Sequence, residues 1–213
     1  MKRRQLLFGA LAILLLAAVG AGVWIGRRAR TAQWEERPLE GLGIYGTVPD
    51  FSLTERSGRK VDLTELKGKI WVVNFIYTHC PDSCPMQSAR IKELQDEFIN
   101  EKDLRLVSIT VDPSRDTLKV LSEYANRFAA DPERWLFLNG EKEAIYRLAQ
   151  EGLHLAAVEI PQEQRTGSGA THAHSPRFVL MDRKARVRGY YAPSDPEAMV
   201  RLRRDLARLL HNG

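Results

Sequence analysis

The chain has 213 residues, with 32 Lys and Arg against 27 Asp and Glu and a formal net charge of +5. The excess is confined to the first thirty residues, which hold Lys2, Arg3, Arg4, Arg27, Arg28 and Arg30 and no acid, so the remainder carries 26 basic and 27 acidic side chains, a net of −1. A near-neutral body excludes a nucleic-acid role on electrostatic grounds, and its length, about 165 residues, suits one domain with a proper core and not two.

Between a basic flank at 1–5 and the cluster Arg27, Arg28, Arg30 runs an uncharged apolar stretch, Leu6 to Ile25. Its twenty residues are enough for an α-helix to cross the hydrocarbon core. Gly20-Ala21-Gly22 is a weak cleavage site, but Trp24 and Ile25 continue the run past it, so residues 6–25 are expected to be an uncleaved transmembrane helix. Arg3-Arg4 also fits a twin-arginine signal, against the plainer reading of a positive flank. Residues 26–46, charged and then punctuated by Gly41, Gly43 and Gly46, read as a juxtamembrane linker, leaving 47–213 as the folded domain.

In chain order, Phe51–Leu53 and Lys60–Leu63 flank Ser57-Gly58 as a hairpin, and Ile70–Tyr77 reads as a central strand covered on both faces. Met86, Ala89, Ile91, Leu94 and Phe98 mark an amphipathic helix ending near Asn100. Leu104–Val111 reads as a strand, Thr117–Phe128 as a helix capped by Asp116, Trp135–Leu138 as a strand and Glu141–Gln150 as a short helix. Leu153–Ile160 looks extended, Pro161–Ala173 is a polar loop, Phe178–Met181 and Arg186–Tyr191 form a second hairpin, and Asp195–Leu210 is a closing helix. Alternating strands and helices with a hairpin at the end predict an α/β fold with a central mixed sheet.

Both cysteines lie in Thr78-His79-Cys80-Pro81-Asp82-Ser83-Cys84-Pro85, directly after the central strand. A disulfide closing so short a loop stabilises by only about 2 kcal/mol on the loop-entropy model, so a reactive pair is the better reading than a staple. A helix starting near Cys80 would put the sulfurs one turn apart on one face, at an end whose dipole depresses thiol pKa values. A pair of this kind suits an oxidising compartment, which predicts an extracytoplasmic domain on the inner membrane, in a periplasm or its equivalent.

A cysteine pair after a strand, with Ser175-Pro176 before a later one, resembles the thioredoxin-like fold, which implies a cis proline packed against the reactive cysteine. Phe75-x-Tyr77-Thr78-x-Cys80-Pro81-Asp82-x-Cys84-Pro85, Thr110-Val111-Asp112-Pro113-x-Arg115-Asp116-Thr117 and His174-Ser175 before Phe178 narrow the resemblance to the Sco/SenC family over roughly residues 47 to 210. Those are membrane-anchored copper proteins that help assemble the CuA centre of cytochrome c oxidase. The resemblance implies copper held by Cys80, Cys84 and His174, a soft donor set suited to Cu(I). It also implies oxidase subunit II or another copper-accepting protein as partner, together with a thiol–disulfide reductant. Copper and a reversible Cys80–Cys84 disulfide would be alternative occupants. Zinc is the runner-up metal, lacking an obvious fourth ligand.

The rival reading is a membrane-tethered thiol–disulfide reductase with no metal, and a third is a redox-sensing module. His172 is the substitute ligand, and His79 is expected to face away. His154 fits a half-buried strand position, His211 the last turn of a helix, and Met86 the core. Asp112 is either near the metal region or a helix cap. The family pattern often has an aspartate immediately before the histidine, where this chain has Ala173.

Overall fold

Residues 42–80, 83–161, 163 and 171–212 are described by the computed structural model. The anchor expected at 6–25, its flank at 1–5 and residues 26–41 of the linker lie outside them. Among the described residues no helix is long and apolar enough to cross a membrane. The chain joins the sheet within the segment expected to be linker. The Gly43 and Tyr45 amides donate to the Arg188 and Val187 carbonyls at 3.0 and 2.9 Å, and β1 (Gly46–Thr47) pairs antiparallel with β10 (Arg186–Tyr191).

The hairpin of β2 (Ser52–Glu55) and β3 (Lys60–Asp62) forms around Ser57-Gly58, with Gly58 at φ +94°, a conformation costly for any residue with a Cβ. One helical turn, α1 (Leu63–Leu66), capped by Asp62, leads into β4 (Ile70–Ile76). All seven residues of β4 are buried. Parallel neighbours β5 (Leu104–Thr110) and β6 (Trp135–Asn139) follow, each reached through a crossover helix, α2 (Ser83–Glu97) and α3 (Leu118–Arg127). After α4 (Lys142–Arg147) and the π-helical turn Leu148–Gly152, the strands β7 (Ala157–Glu159) and β8 (His172–His174) form a small antiparallel sheet of their own. Then β9 (Phe178–Met181) returns antiparallel beside β4, β10 pairs antiparallel with β9, and α5 (Pro196–Asn212) packs on β10 and β4. The main sheet has the order β1-β10-β9-β4-β5-β6-β2-β3. It is the α/β fold with a central mixed sheet that the alternation predicts.

Four readings differ in detail from those made from the sequence. The buried stripe of α2 is Cys84, Gln87, Ser88, Ile91, Leu94 and Gln95, while Ala89 is exposed and Met86 only half-buried. Half of that stripe is polar because each polar member has a partner: Gln87 accepts from Asn74, Ser88 meets the Tyr124 hydroxyl at 2.9 Å, and Gln95 bridges Asp131 and Ala129. The cap of α3 is Thr117, whose hydroxyl accepts from the Val120 amide, and not Asp116. His154 is exposed with a left-handed backbone, φ +51°, and not in a strand. The segment expected to be a polar loop ends in β8, with Thr171 and His172 buried; residues 162 and 164–170 lie outside the described residues.

Candidate metal centre

The C-terminal ends of β4, β5 and β6 are tied together by the loop between β5 and α3, and the cysteine turn hangs from that knot. Asp116 has no exposed surface. Its carboxylate accepts hydrogen bonds from the Thr78 amide, the Thr78 hydroxyl and the Thr110 hydroxyl, while its carbonyl accepts from the Asn139 amide group. Thr78 follows β4, Thr110 ends β5 and Asn139 ends β6, so one carboxylate sets where the chain leaves the sheet toward Cys80. Its quoted motif, Asp112-Pro113-x-Arg115-Asp116-Thr117, was visible in the sequence. Its role was not, because the three partners come from three different strand ends.

Helix α2 begins at Ser83, so Cys80 lies in the turn ahead of it and only Cys84 sits on the helix. The Cys80 amide donates to the Tyr77 carbonyl at 3.1 Å, closing that turn. Pro85 in the first helical turn lacks an N–H where none is needed. The two cysteines are not joined; Cys84 is fully buried and Cys80 partly so. The helix terminus does not lower the Cys84 pKa as expected. A hydrogen bond with the Cys80 thiol, together with burial, pushes it up instead. Burial and the same Cys80 thiol push up the Tyr77 hydroxyl.

The small sheet delivers the histidines. His174 pairs with Ala157 in register, and the Ser175 amide donates to the Ala156 carbonyl at 2.9 Å. His174 Nε2 lies 3.4 Å from Cys84 Sγ, across ninety residues of sequence. Burial lowers the His174 pKa, which favours the neutral ring a metal requires. The Ser175-Pro176 bond is trans, contrary to the expected cis isomer. The approach to the sulfur is made by the β7–β8 pairing, which carries His174 over the helix start without a cis turn.

His172 and His174 share one face of β8, as residues two apart in a strand must, and both rings pack on Tyr77, with centroids 5.4 and 6.0 Å away. His172 Nδ1 lies 2.9 Å from the Thr171 hydroxyl and 3.8 Å from an Asp112 carboxylate oxygen. Asp112 therefore stands beside His172 and is not a helix cap. His79 is exposed, 3.1 Å from the Thr78 hydroxyl, and His211 is exposed in the last turn of α5. Sequence reasoning missed Tyr77 as part of the site; its position one residue beyond a fully buried strand was the available signal.

Zinc bound to sulfur at about 2.3 Å and to imidazole nitrogen at about 2.0 Å holds these donors about 3.5 Å apart at a tetrahedral angle. The Cys84–His174 separation matches that spacing, so this pair fits a common ion. Among the described residues no group of three or more His, Cys, Asp or Glu side chains is already drawn together as a metal site. Cys80 stands next to the pair and does not yet complete it.

The sequence matches the SCO1/SenC family profile over residues 44–211. This chain belongs to the SCO1/SenC family. Among SCO1/SenC relatives, the SCO1 protein homolog of Bacillus subtilis is 35% identical over 94 residues, covering 44% of this chain and 49% of that protein. The chain spans about half the length of the curated relatives it matches, 49% and 54% for the Bacillus subtilis and Mus musculus proteins. Two solved structures share the SCO1/SenC fold seen here. BsSco, described as a member of the Sco family of cytochrome c oxidase assembly proteins in which a disulfide switch was identified, has a TM-score of 0.67 at 25% identity, covering 82% of this chain and 99% of that one. Bradyrhizobium japonicum ScoI with copper bound has a TM-score of 0.58 at 27% identity, covering 75% and 99%.

Proposed function

We propose that this chain is a copper-handling thiol protein of cytochrome c oxidase assembly. In this reading it holds copper on Cys80, Cys84 and His174, and delivers the metal to, or reduces the cysteines of, the CuA site of oxidase subunit II. The observation that carries it is the 3.4 Å approach of His174 to the Cys84 sulfur, with the Cys80 thiol beside it. Two thiolates and an imidazole suit Cu(I), and the same set accommodates Cu(II) in a more tetragonal arrangement. The copper-bound relative supports this choice of metal. Cys80, hydrogen-bonded to Cys84, would complete the set around one ion. Copper is cargo, and a Cys80–Cys84 disulfide excludes it.

Titration of the reduced protein tests the reading. One Cu(I) per chain is expected, abolished by Cys84→Ser, with His174→Ala weakening Cu(II) more than Cu(I) because thiolates alone can hold Cu(I) nearly linearly. Copper retention that ignores Cys84 and His174 would favour the second reading, a metal-free thiol–disulfide reductase. That alternative draws on the hydrogen-bonded cysteine pair itself.

The proposal includes residues 6–25 as an anchor in the cytoplasmic membrane and the domain on its outer side, supported by the uncharged run and the paired thiols. Protease added to spheroplasts should digest the domain. Protection by an intact inner membrane would overturn this topology.

A further inference from the structure

A histidine that binds a metal usually takes its orientation from a hydrogen bond at its other ring nitrogen. His174 has no well-formed bond of this kind: with Nε2 turned to Cys84, its buried Nδ1 lacks a partner of hydrogen-bond geometry among the described residues, and what contact the ring has with the Ser175 backbone is electrostatic. The residue before it, Ala173, has no polar side chain. The ring is nevertheless confined. It meets Tyr77 edge to face, with centroids 6.0 Å apart and planes at 87°, and Tyr77 is only 2% exposed. The Tyr77 ring also packs against His172, with centroids 5.4 Å apart and planes at 51°. His172 is tied in turn to the Thr171 hydroxyl at 2.9 Å and lies 3.8 Å from Asp112, whose other oxygen accepts from the Ser114 hydroxyl. A chain of contacts thus runs from the β5–α3 loop through three rings to the Cys84 sulfur.

We propose that Tyr77 and His172 are positioning residues for His174, setting its imidazole plane by ring packing where a well-formed hydrogen bond is missing. Neither ring need touch the ion. Aromatic contacts of this kind stabilise beyond area burial and bias one ring orientation. The inference rests on the reading of His174 as a copper ligand. Its effect should fall on Cu(II), which demands a particular arrangement of nitrogen donors, and hardly on Cu(I), which the two thiolates can hold.

The test uses the full chain, reduced and loaded with one copper ion. Tyr77→Leu and His172→Leu each remove a ring from the stack, and Tyr77→Phe retains it. Both Leu variants should shift and broaden the Cu(II) electron paramagnetic resonance signal and weaken Cu(II) about tenfold, the lower end of the range for losing support to a metal ligand. Cu(I) affinity should be nearly unchanged, and Tyr77→Phe, which keeps the ring and loses only the hydroxyl beside Cys80, should stay closer to the unmutated Cu(II) spectrum than Tyr77→Leu. His172, on the small sheet outside the main core, keeps the test available if Tyr77→Leu does not fold. Unaltered Cu(II) spectra and affinity in the Leu variants would overturn the positioning role alone. Two imidazole nitrogens coupled to Cu(II) in the unmutated protein would also overturn it, by making His172 a ligand. Absence of copper binding in the unmutated protein would remove the underlying reading, and that result is seen before any variant is made.

Discussion

Cys84 occupies the first turn of α2, where the helix dipole favours a thiolate, yet its pKa lies above the ordinary thiol value. The Cys80 thiol and burial outweigh the dipole because burial disfavours any charge that has no counter-ion. The metal-free site therefore keeps the Cys84 proton through neutral pH, and a copper ion must displace it. Cu(I) affinity should rise with pH across the neutral range, by about tenfold per pH unit for each proton released. Competition titrations between pH 6 and 9 check this; a flat profile would mean that the thiolate is already formed. His174 works in the opposite sense, since its lowered pKa leaves the ring neutral and ready.

Among the elements, the turn carrying Cys80 depends on a residue in another loop. Asp116→Ala removes the acceptor for the Thr78 amide and hydroxyl and for the buried Thr110 hydroxyl. Unsatisfied buried groups of this kind cost about 1–3 kcal/mol each. The expected result is a lower melting temperature with faster amide exchange at Thr78, while the amides of β9 exchange as before. The β9–β10 hairpin has its own ionic clasp. Asp182 is 4% exposed and accepts from the amides of Lys184 and Arg186 and from the Arg186 and Arg188 side chains. Burial alone would raise its pKa, but hydrogen bonds from Arg186, Arg188 and Lys184 bring it below the ordinary carboxylate value. A depressed carboxylate contributes stability that is fully present above its unfolded pKa and is lost as pH falls through the folded one. Asp182→Asn should thus destabilise by about 1–3 kcal/mol at neutral pH, since it leaves Arg186 and Arg188, 31% and 18% exposed, without their carboxylate partner. It should also flatten the acid limb of the stability curve, as read by urea unfolding at several pH values. The cluster further supports the entry of the chain, because Arg188 also donates to the Gly43 carbonyl.

Across the whole molecule, a buried polar line runs along one face of the sheet, from β6 through β5 and β4 to the cysteine helix. The Trp135 indole donates to Ser108, Ser108 to Asn74, and Asn74 to Gln87, which lies three residues after Cys84. Around it Trp71, Phe75, Phe137, Phe178 and Tyr191 are fully buried, so the site stands on a close-packed base. Copper that binds only the folded, reduced protein must stabilise the entire fold, by about 4 kcal/mol when free copper exceeds the dissociation constant a thousandfold. The melting temperature of the reduced protein should rise on copper addition and that of the oxidised protein should not. An equal rise in both forms would place the metal away from the cysteines.

Much of this architecture was legible in the sequence because it is encoded locally. The run Ile70–Tyr77, the Ser57-Gly58 turn and the alternation of strands and helices depend on side-chain period and turn chemistry, which neighbouring residues reveal. Cys80, Cys84 and His174 were singled out by residue type, spacing and resemblance. Tertiary structure alone decided the rest. The polar stripe of α2 defeats a hydrophobic pattern because Gln87, Ser88 and Gln95 find partners on other elements. Asp116 looked like a helix cap until three strand ends converged on it. The small β7–β8 sheet, and not a cis proline, carries His174 to the sulfur. The physical reason is common to these cases: a polar group shows its valence in the sequence but not its partner, and only packing brings together groups separated by up to ninety residues.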